Sequence, residues 1–167
     1  MSLTTLPMRA IAVACLALAM PCSPARAEPT LGQNDQPIHD AARIGTRAEV
    51  ERILRAEPKQ RDARTGLGST PLHLAATNPD GGPLKALLAA GAEVNARDGD
   101  GATPLHMAAY TAKVRNAELL LAAGADVDVK SNNGRTPLSM ARKNRADEVA
   151  GIISLWVLKG CKAGKPC

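Results

Sequence analysis

Aromatic side chains are almost absent from this sequence of 167 residues, which has no Phe, one Trp (Trp156) and one Tyr (Tyr110). Proteins that stack single-stranded nucleic acid on aromatic rings need more of them, and this scarcity argues against that class. Apolar residues still make up 45% of the chain, which argues against a disordered protein. Any core must therefore be built from small and branched aliphatic side chains.

The sequence also lacks an apolar run long enough to span a membrane as a helix. The clearest apolar stretch, residues 10–20, has eleven residues, whereas a membrane helix needs about 20. Arg9 precedes this stretch and a small-residue motif ending at Ala27 follows it, which is the pattern of a secretory signal peptide. We expect cleavage after Ala27, a linker at 28–34, and a periplasmic or secreted product.

Charge of one sign is not in strong excess once this leader is removed. Loss of Arg9 and Arg26 lowers the net charge from +5 to +3, which is too little to favour DNA or RNA binding. A lipid anchor on Cys22 is the minor alternative for the leader, and Pro21 before it disfavours that processing.

Cysteine is equally scarce. Two of the four cysteines lie in the leader, which leaves Cys161 and Cys167 in a short tail at 161–167. In an exported protein, two cysteines at this spacing favour one local disulfide. Two thiolates alone do not complete a tetrahedral zinc site, so the sequence predicts no metal there.

One motif recurs every thirty-three residues. Thr70-Pro-Leu-His-Leu-Ala-Ala76 returns with one change at 103–109 and with three changes at 136–142, and a related element occupies 37–42. The Thr suits the helix N-cap and the Pro suits the first helical position. Each short helix is followed by a second apolar segment and then by a turn rich in Gly, Asn and Asp.

These motifs resemble the ankyrin repeat over about 37–158. The resemblance implies an all-α ankyrin-repeat solenoid of about four helix–turn–helix repeats joined by short β-hairpin loops. The implied repeats lie at about 35–67, 68–100, 101–133 and 134–160 within a repeat region of 35–160.

No arrangement of residues predicts catalysis. The serines lack a G-x-S-x-G motif, and the mature cysteines have no His partner. His39, His73 and His106 recur in register, and the resemblance implies that each bonds within its own turn and to the neighbouring loop. Metal ligands converge on one point instead. We therefore expect no enzyme, no cofactor and no metal site.

The resemblance implies protein binding by a concave surface made of the loop tips and the first helix of each repeat. The predicted contacts are Leu67, Ser69, Thr77, Asn78, Asp100, Ala102, Tyr110, Thr111, Asn132, Asn133, Arg135, Lys143 and Asn144, with Arg43 and Ile44 in the first repeat. Tyr110 is the leading candidate because tyrosine is enriched among residues that dominate interface energy. The alternative is that Tyr110 only covers a neighbouring Ala-rich helix.

The resulting hypothesis is an exported, non-enzymatic, monomeric adaptor that binds another protein. The family resemblance extends to small exported bacterial ankyrin proteins, and it implies support of a periplasmic partner such as catalase. The alternatives are a ligand, metal or haem carrier, and an immunity or accessory protein for a secreted toxin. No nucleic acid and no membrane span are expected.

Overall fold

The structure is a computed structural model that describes residues 35–161. Eight α-helices follow one another in this part of the chain, in four pairs. They are α1 (Pro37–Ile44), α2 (Arg47–Ala56), α3 (Pro71–Thr77), α4 (Gly82–Ala89), α5 (Pro104–Tyr110), α6 (Val114–Ala122), α7 (Pro137–Lys143) and α8 (Asp147–Leu158). A 3₁₀ helix at Pro58–Asp62 follows α2. The predicted leader, the linker and residues 162–167 lie outside the described residues, so those predictions and the Cys161–Cys167 pairing stay predictions.

The recurring Thr-Pro pair starts three of the four short helices. Thr70, Thr103 and Thr136 have extended backbone conformations, and the proline after each occupies the first turn of the helix. This confirms the predicted N-caps, because an extended residue before a fixed proline φ is how such helices begin. At the start of α2, the Thr46 and Glu49 side chains bond reciprocally to each other's backbone N–H groups, which is a capping box.

The helices stack in two rows. The inner row is α1, α3, α5 and α7, in which each helix packs on the next, and the outer row is α2, α4, α6 and α8. Leu72, Leu105 and a set of alanines such as Ala76 and Ala109 are fully buried between them. Because this core has no Phe to fill space, its small side chains must pack closely between the helices. The predicted all-α repeat solenoid is confirmed.

The connections between pairs are tight turns at 65–69, 98–102 and 131–135. In the second turn the Asp98 N–H bonds to the Ala102 carbonyl and the Gly101 N–H bonds to the Asp98 carbonyl, both at 2.9 Å. Neighbouring tips are joined, since the Gly99 N–H donates to the Leu67 carbonyl at 2.9 Å. The connections thus have hairpin-like hydrogen bonds, yet no regular β-strand forms between residues 35 and 161.

Two turns inside helix pairs hold strained residues. Ala112 has φ 55° and Arg145 has φ 56°, which is the left-handed region that non-glycine residues rarely occupy. The two positions are thirty-three residues apart, so the same place in two successive repeats is strained.

Across residues 35–161, none of the helices combines the length and apolarity that crossing a membrane would require.

Candidate functional site

The histidine of each motif bonds within its own turn and across the repeat junction. In α3, the Nδ1 atom of His73 accepts the Thr70 backbone N–H at 3.1 Å. A ring nitrogen that accepts from an N–H carries no proton, so the neutral ring is protonated at Nε2. That Nε2–H donates to the Ala102 carbonyl, 3.1 Å away in the following turn.

His106 and His39 repeat this arrangement. His106 joins the Thr103 N–H at 3.1 Å to the Arg135 carbonyl at 2.9 Å. The corresponding bonds of His39 are to the Gln36 N–H at 2.8 Å and to the Ala63 carbonyl at 3.1 Å. Both nitrogens of each ring are therefore used inside the stack, which confirms the predicted structural role.

The electrostatics of two of these rings agree with that role. Burial lowers the pKa of His73 below the ordinary value of 6.5, and burial also lowers the pKa of His106. Both rings are fully buried, so protonating them would cost desolvation energy. It would also break the hydrogen bond that each Nδ1 accepts from a backbone N–H. No group of three or more His, Cys, Asp or Glu side chains within the described stretch is arranged to hold a metal ion.

Asn78, one of the predicted contacts, is not on the surface. It is 3% exposed, and its side-chain amide donates to the Ala42 carbonyl at 3.0 Å and to the Gly45 carbonyl at 3.2 Å. Asn78 thus holds the end of α3 to the turn between α1 and α2. Ala102 is also buried, at 7% exposed, and it bonds to His73 through its carbonyl. A partner cannot contact either side chain directly.

The other predicted contacts lie around one surface, which we call the inner surface. It consists of the solvent-facing side of the inner row and the tips of the three turns. Leu67 at the first tip is 80% exposed, Ile44 at the end of α1 is 79% exposed, and Tyr110 at the end of α5 is 58% exposed. Asp100, Asn132, Asn133, Lys143 and Asn144 are exposed, and Ser69, Thr77, Thr111 and Arg135 are partly exposed.

Several polar side chains of this surface are already bonded to the backbone. The Thr77 hydroxyl donates to the Leu74 carbonyl at 2.7 Å, and the Thr111 hydroxyl donates to the Met107 carbonyl at 2.8 Å. The Asn132 amide ties its own turn to the preceding one by donating to the Gly99 carbonyl at 3.1 Å. These hydrogen bonds fix the shape of the surface, whereas the exposed apolar side chains are not tied to the backbone in this way.

An apolar row that the sequence argument did not single out crosses the inner row of helices. Leu74, Met107 and Met140 occupy the same position of the motif in α3, α5 and α7, and each is partly exposed. The signal was present, because this position is the variable one between His or Ser and Ala in 70–76, 103–109 and 136–142. Methionine adapts its shape to irregular apolar partners, which suits a binding surface.

A groove of about 350 Å³ marks the N-terminal half of the inner surface. Leu67 and Leu74 give it an apolar wall, and Asp35, Arg43 and Ser69 give it polar ones. Arg43 also forms an ion pair with Asp40 on α1. Such a mixture of apolar wall and polar rim can receive one side chain of a protein or peptide, since interfaces combine these two features.

Comparison with protein-family models identifies one match. The model described as ankyrin repeats (3 copies) matches residues 38–131 and 78–155. These overlapping matches span all four helix pairs and more than half of the chain. A comparison with curated proteins finds no match.

Proposed function

The chain belongs to the ankyrin-repeat family, whose members are generally protein–protein interaction modules, and from that premise we propose that its inner surface binds a partner protein without catalysing a reaction. The observation that carries the proposal is the apolar character of this surface. Tyr110, Leu67 and Ile44 are all more than half exposed there. Exposed apolar side chains among polar ones are typical of a protein-binding surface.

Tyr110 is the proposed centre of the contact. It ends α5, the third of the four inner helices, and it lies three residues from Met107 of the apolar row. Tyrosine offers a large, rigid apolar area and a hydroxyl at its edge, which is why it often dominates binding energy. The exposed Lys143 and Asp100 are proposed as rim contacts, which set orientation more than affinity.

The proposed setting is outside the cytosol, on the strength of the leader pattern in residues 1–27. We propose an exported adaptor that supports a periplasmic partner such as catalase, in line with the family resemblance. An immunity or accessory role for a secreted toxin would use the same surface, with the toxin as partner. The carrier alternative lacks support from the histidines, because both nitrogens of each ring are bonded inside the stack.

The experiment compares partner binding by Tyr110→Ala and by Arg115→Ala, an exposed residue on the outer-row helix α6. Once a partner has been captured and purified, titration calorimetry gives both dissociation constants. We expect Tyr110→Ala to weaken binding about 30-fold, as for a hot-spot tyrosine, and Arg115→Ala to leave it unchanged. A large fall in melting temperature with unchanged affinity would instead show that Tyr110 is a structural residue.

A further inference from the structure

Helix α8 exposes apolar side chains on the side turned away from the stack. Leu155 is 52% exposed and Leu158 is 82% exposed, whereas Val149 and Ile153 are fully buried. At helical spacing Leu155, Leu158 and Gly151 share one side of the helix, opposite the buried pair. We call these three residues the α8 outer face. The end of a repeat stack normally carries a polar face, so this one is unusual.

The other end of the stack shows the normal pattern. On α2, the first helix of the outer row, Arg47 and Glu51 form an ion pair at 2.6 Å. Arg52 and Arg55 on the same helix are exposed. The chain therefore covers α2 with charge and leaves large apolar side chains exposed on α8.

A groove adjoins the α8 outer face. It has a volume of about 280 Å³ and lies between α6 and α8. Leu155 and Trp156 line it, and Glu118 and Lys159 stand beside them. The outer face and the groove are continuous through Leu155, so an aliphatic side chain from outside could be received beside the helix.

We propose that the α8 outer face binds the same face of a second copy of this chain, with the two α8 helices antiparallel about a two-fold axis. Glu148 and Lys159 lie at opposite ends of α8, on the side that carries Leu155, and both are exposed. They are about 16 Å apart along the helix, which is too far to pair within one chain. Neither takes part in the ion pairs formed within residues 35–161.

The antiparallel arrangement satisfies these charges. It sets Glu148 of each chain opposite Lys159 of the second copy, once at each end of the contact, and it brings the two Leu155 side chains together near the axis. The α7 helices then lie on opposite sides of the α8 pair, so the exposed Arg142 residues do not face each other. A self-complementary face of this kind is what a two-fold interface requires.

Other occupants fit the face less well. Residues 162–167, Lys-Ala-Gly-Lys-Pro-Cys, contain no large apolar side chain to cover it. End-to-end stacking on α2 would press Leu158 against exposed arginines. A two-fold dimer replaces the monomer expected from the sequence, and it presents two inner surfaces, which would raise the avidity for a partner that has two matching sites.

Sedimentation equilibrium of the purified protein, under reducing conditions and over a range of concentrations, tests this proposal. We expect a monomer–dimer equilibrium, because one helix pair buries less than a standard interface. Leu158→Glu should raise the dissociation constant on the order of 100-fold, since both copies lose an apolar contact. Leu67→Glu, which changes a similarly exposed leucine on the inner surface, should leave it unchanged. If Leu158→Glu alters the circular dichroism spectrum, Leu155→Gln replaces it.

Charge reversal tests the antiparallel geometry separately. Glu148→Lys and Lys159→Glu should each weaken the dimer, and the double variant should restore it, because each reversed residue again meets an opposite charge. A single chain mass at every concentration overturns the proposal. Equal effects of Leu158→Glu and Leu67→Glu, or no rescue by the double variant, also overturn it. None of these outcomes depends on partner binding at the inner surface.

Discussion

The two ends of the helix stack differ in the side chains that they expose. All three ion pairs between residues 35 and 161 lie before residue 63, and the helices there carry charged outer faces. At the other end, Ser139 takes the position of the histidine, and its hydroxyl bonds to Thr136 within its own turn at 2.9 Å. The α8 outer face is apolar. Histidine thus occurs where a following turn supplies a carbonyl, and it is replaced in the last helix pair, where the described chain offers none.

The largest effect that tests this contrast is expected from His73, which lies at a junction in the middle of the stack. Ser139, which takes the same motif position in the last helix pair, provides the comparison. His73→Ala should lower the free energy of unfolding by about 3 kcal/mol, because it leaves buried partners unpaired and opens a cavity. Ser139→Ala should cost less than about 0.5 kcal/mol at its exposed site. Urea unfolding followed by circular dichroism measures both. Similar losses in the two variants would contradict a junction role for His73.

The pH dependence of stability should come from the interior junctions. Burial lowers the pKa of His73 and of His106 below 6.5 in the folded chain, so the unfolded chain binds protons more readily. Their stabilisation is complete above the unfolded pKa and is lost as the pH falls towards the folded pKa. The urea midpoint should therefore fall between about pH 7 and pH 5, above the range where most carboxylates titrate. A constant or rising midpoint over that range would contradict this account.

The smallest expected effect concerns the two strained turns, one in the middle of the stack and one near its end. Ala112→Gly and Arg145→Gly should each raise the free energy of unfolding by about 0.5 kcal/mol, because relief of a left-handed backbone exceeds the entropy cost of glycine. Gly134→Ala is the matched reverse, since Gly134 has φ 71° and nothing lies within 4 Å of an added Cβ. It should lower stability by about 1 kcal/mol. Melting curves that move the other way would show that backbone strain is not the cause.

Local signals in the sequence predicted the helices well. Thr70, Thr103 and Thr136 were identified as N-caps because capping depends on residues within one turn. The last helix, Asp147–Leu158, also follows local apolar spacing, since its buried residues Val149 and Ile153 lie four positions apart. The loops that the family resemblance predicted form as tight turns with hairpin-like hydrogen bonds and without regular strands between residues 35 and 161.

The positions that sequence reasoning missed depend on more distant contacts. Asn78 was placed on the surface by the family resemblance, but its side-chain amide bonds to the Ala42 and Gly45 carbonyls of the preceding helix pair. The strain at Ala112 and Arg145 follows from a positive φ, which these residue types do not indicate in a sequence. The Cys161–Cys167 pairing and the remaining contact residues stay predictions.

Site-specific photo-crosslinking in the producing cells tests the central claim most directly. The photoreactive residue p-benzoylphenylalanine replaces Tyr110 in one variant and Ala122, an exposed position on α6, in the control variant. If the inner surface is the docking face, position 110 should capture one defined protein other than a second copy of this chain, and position 122 should not. Equal capture at both positions, or none at position 110, would contradict it.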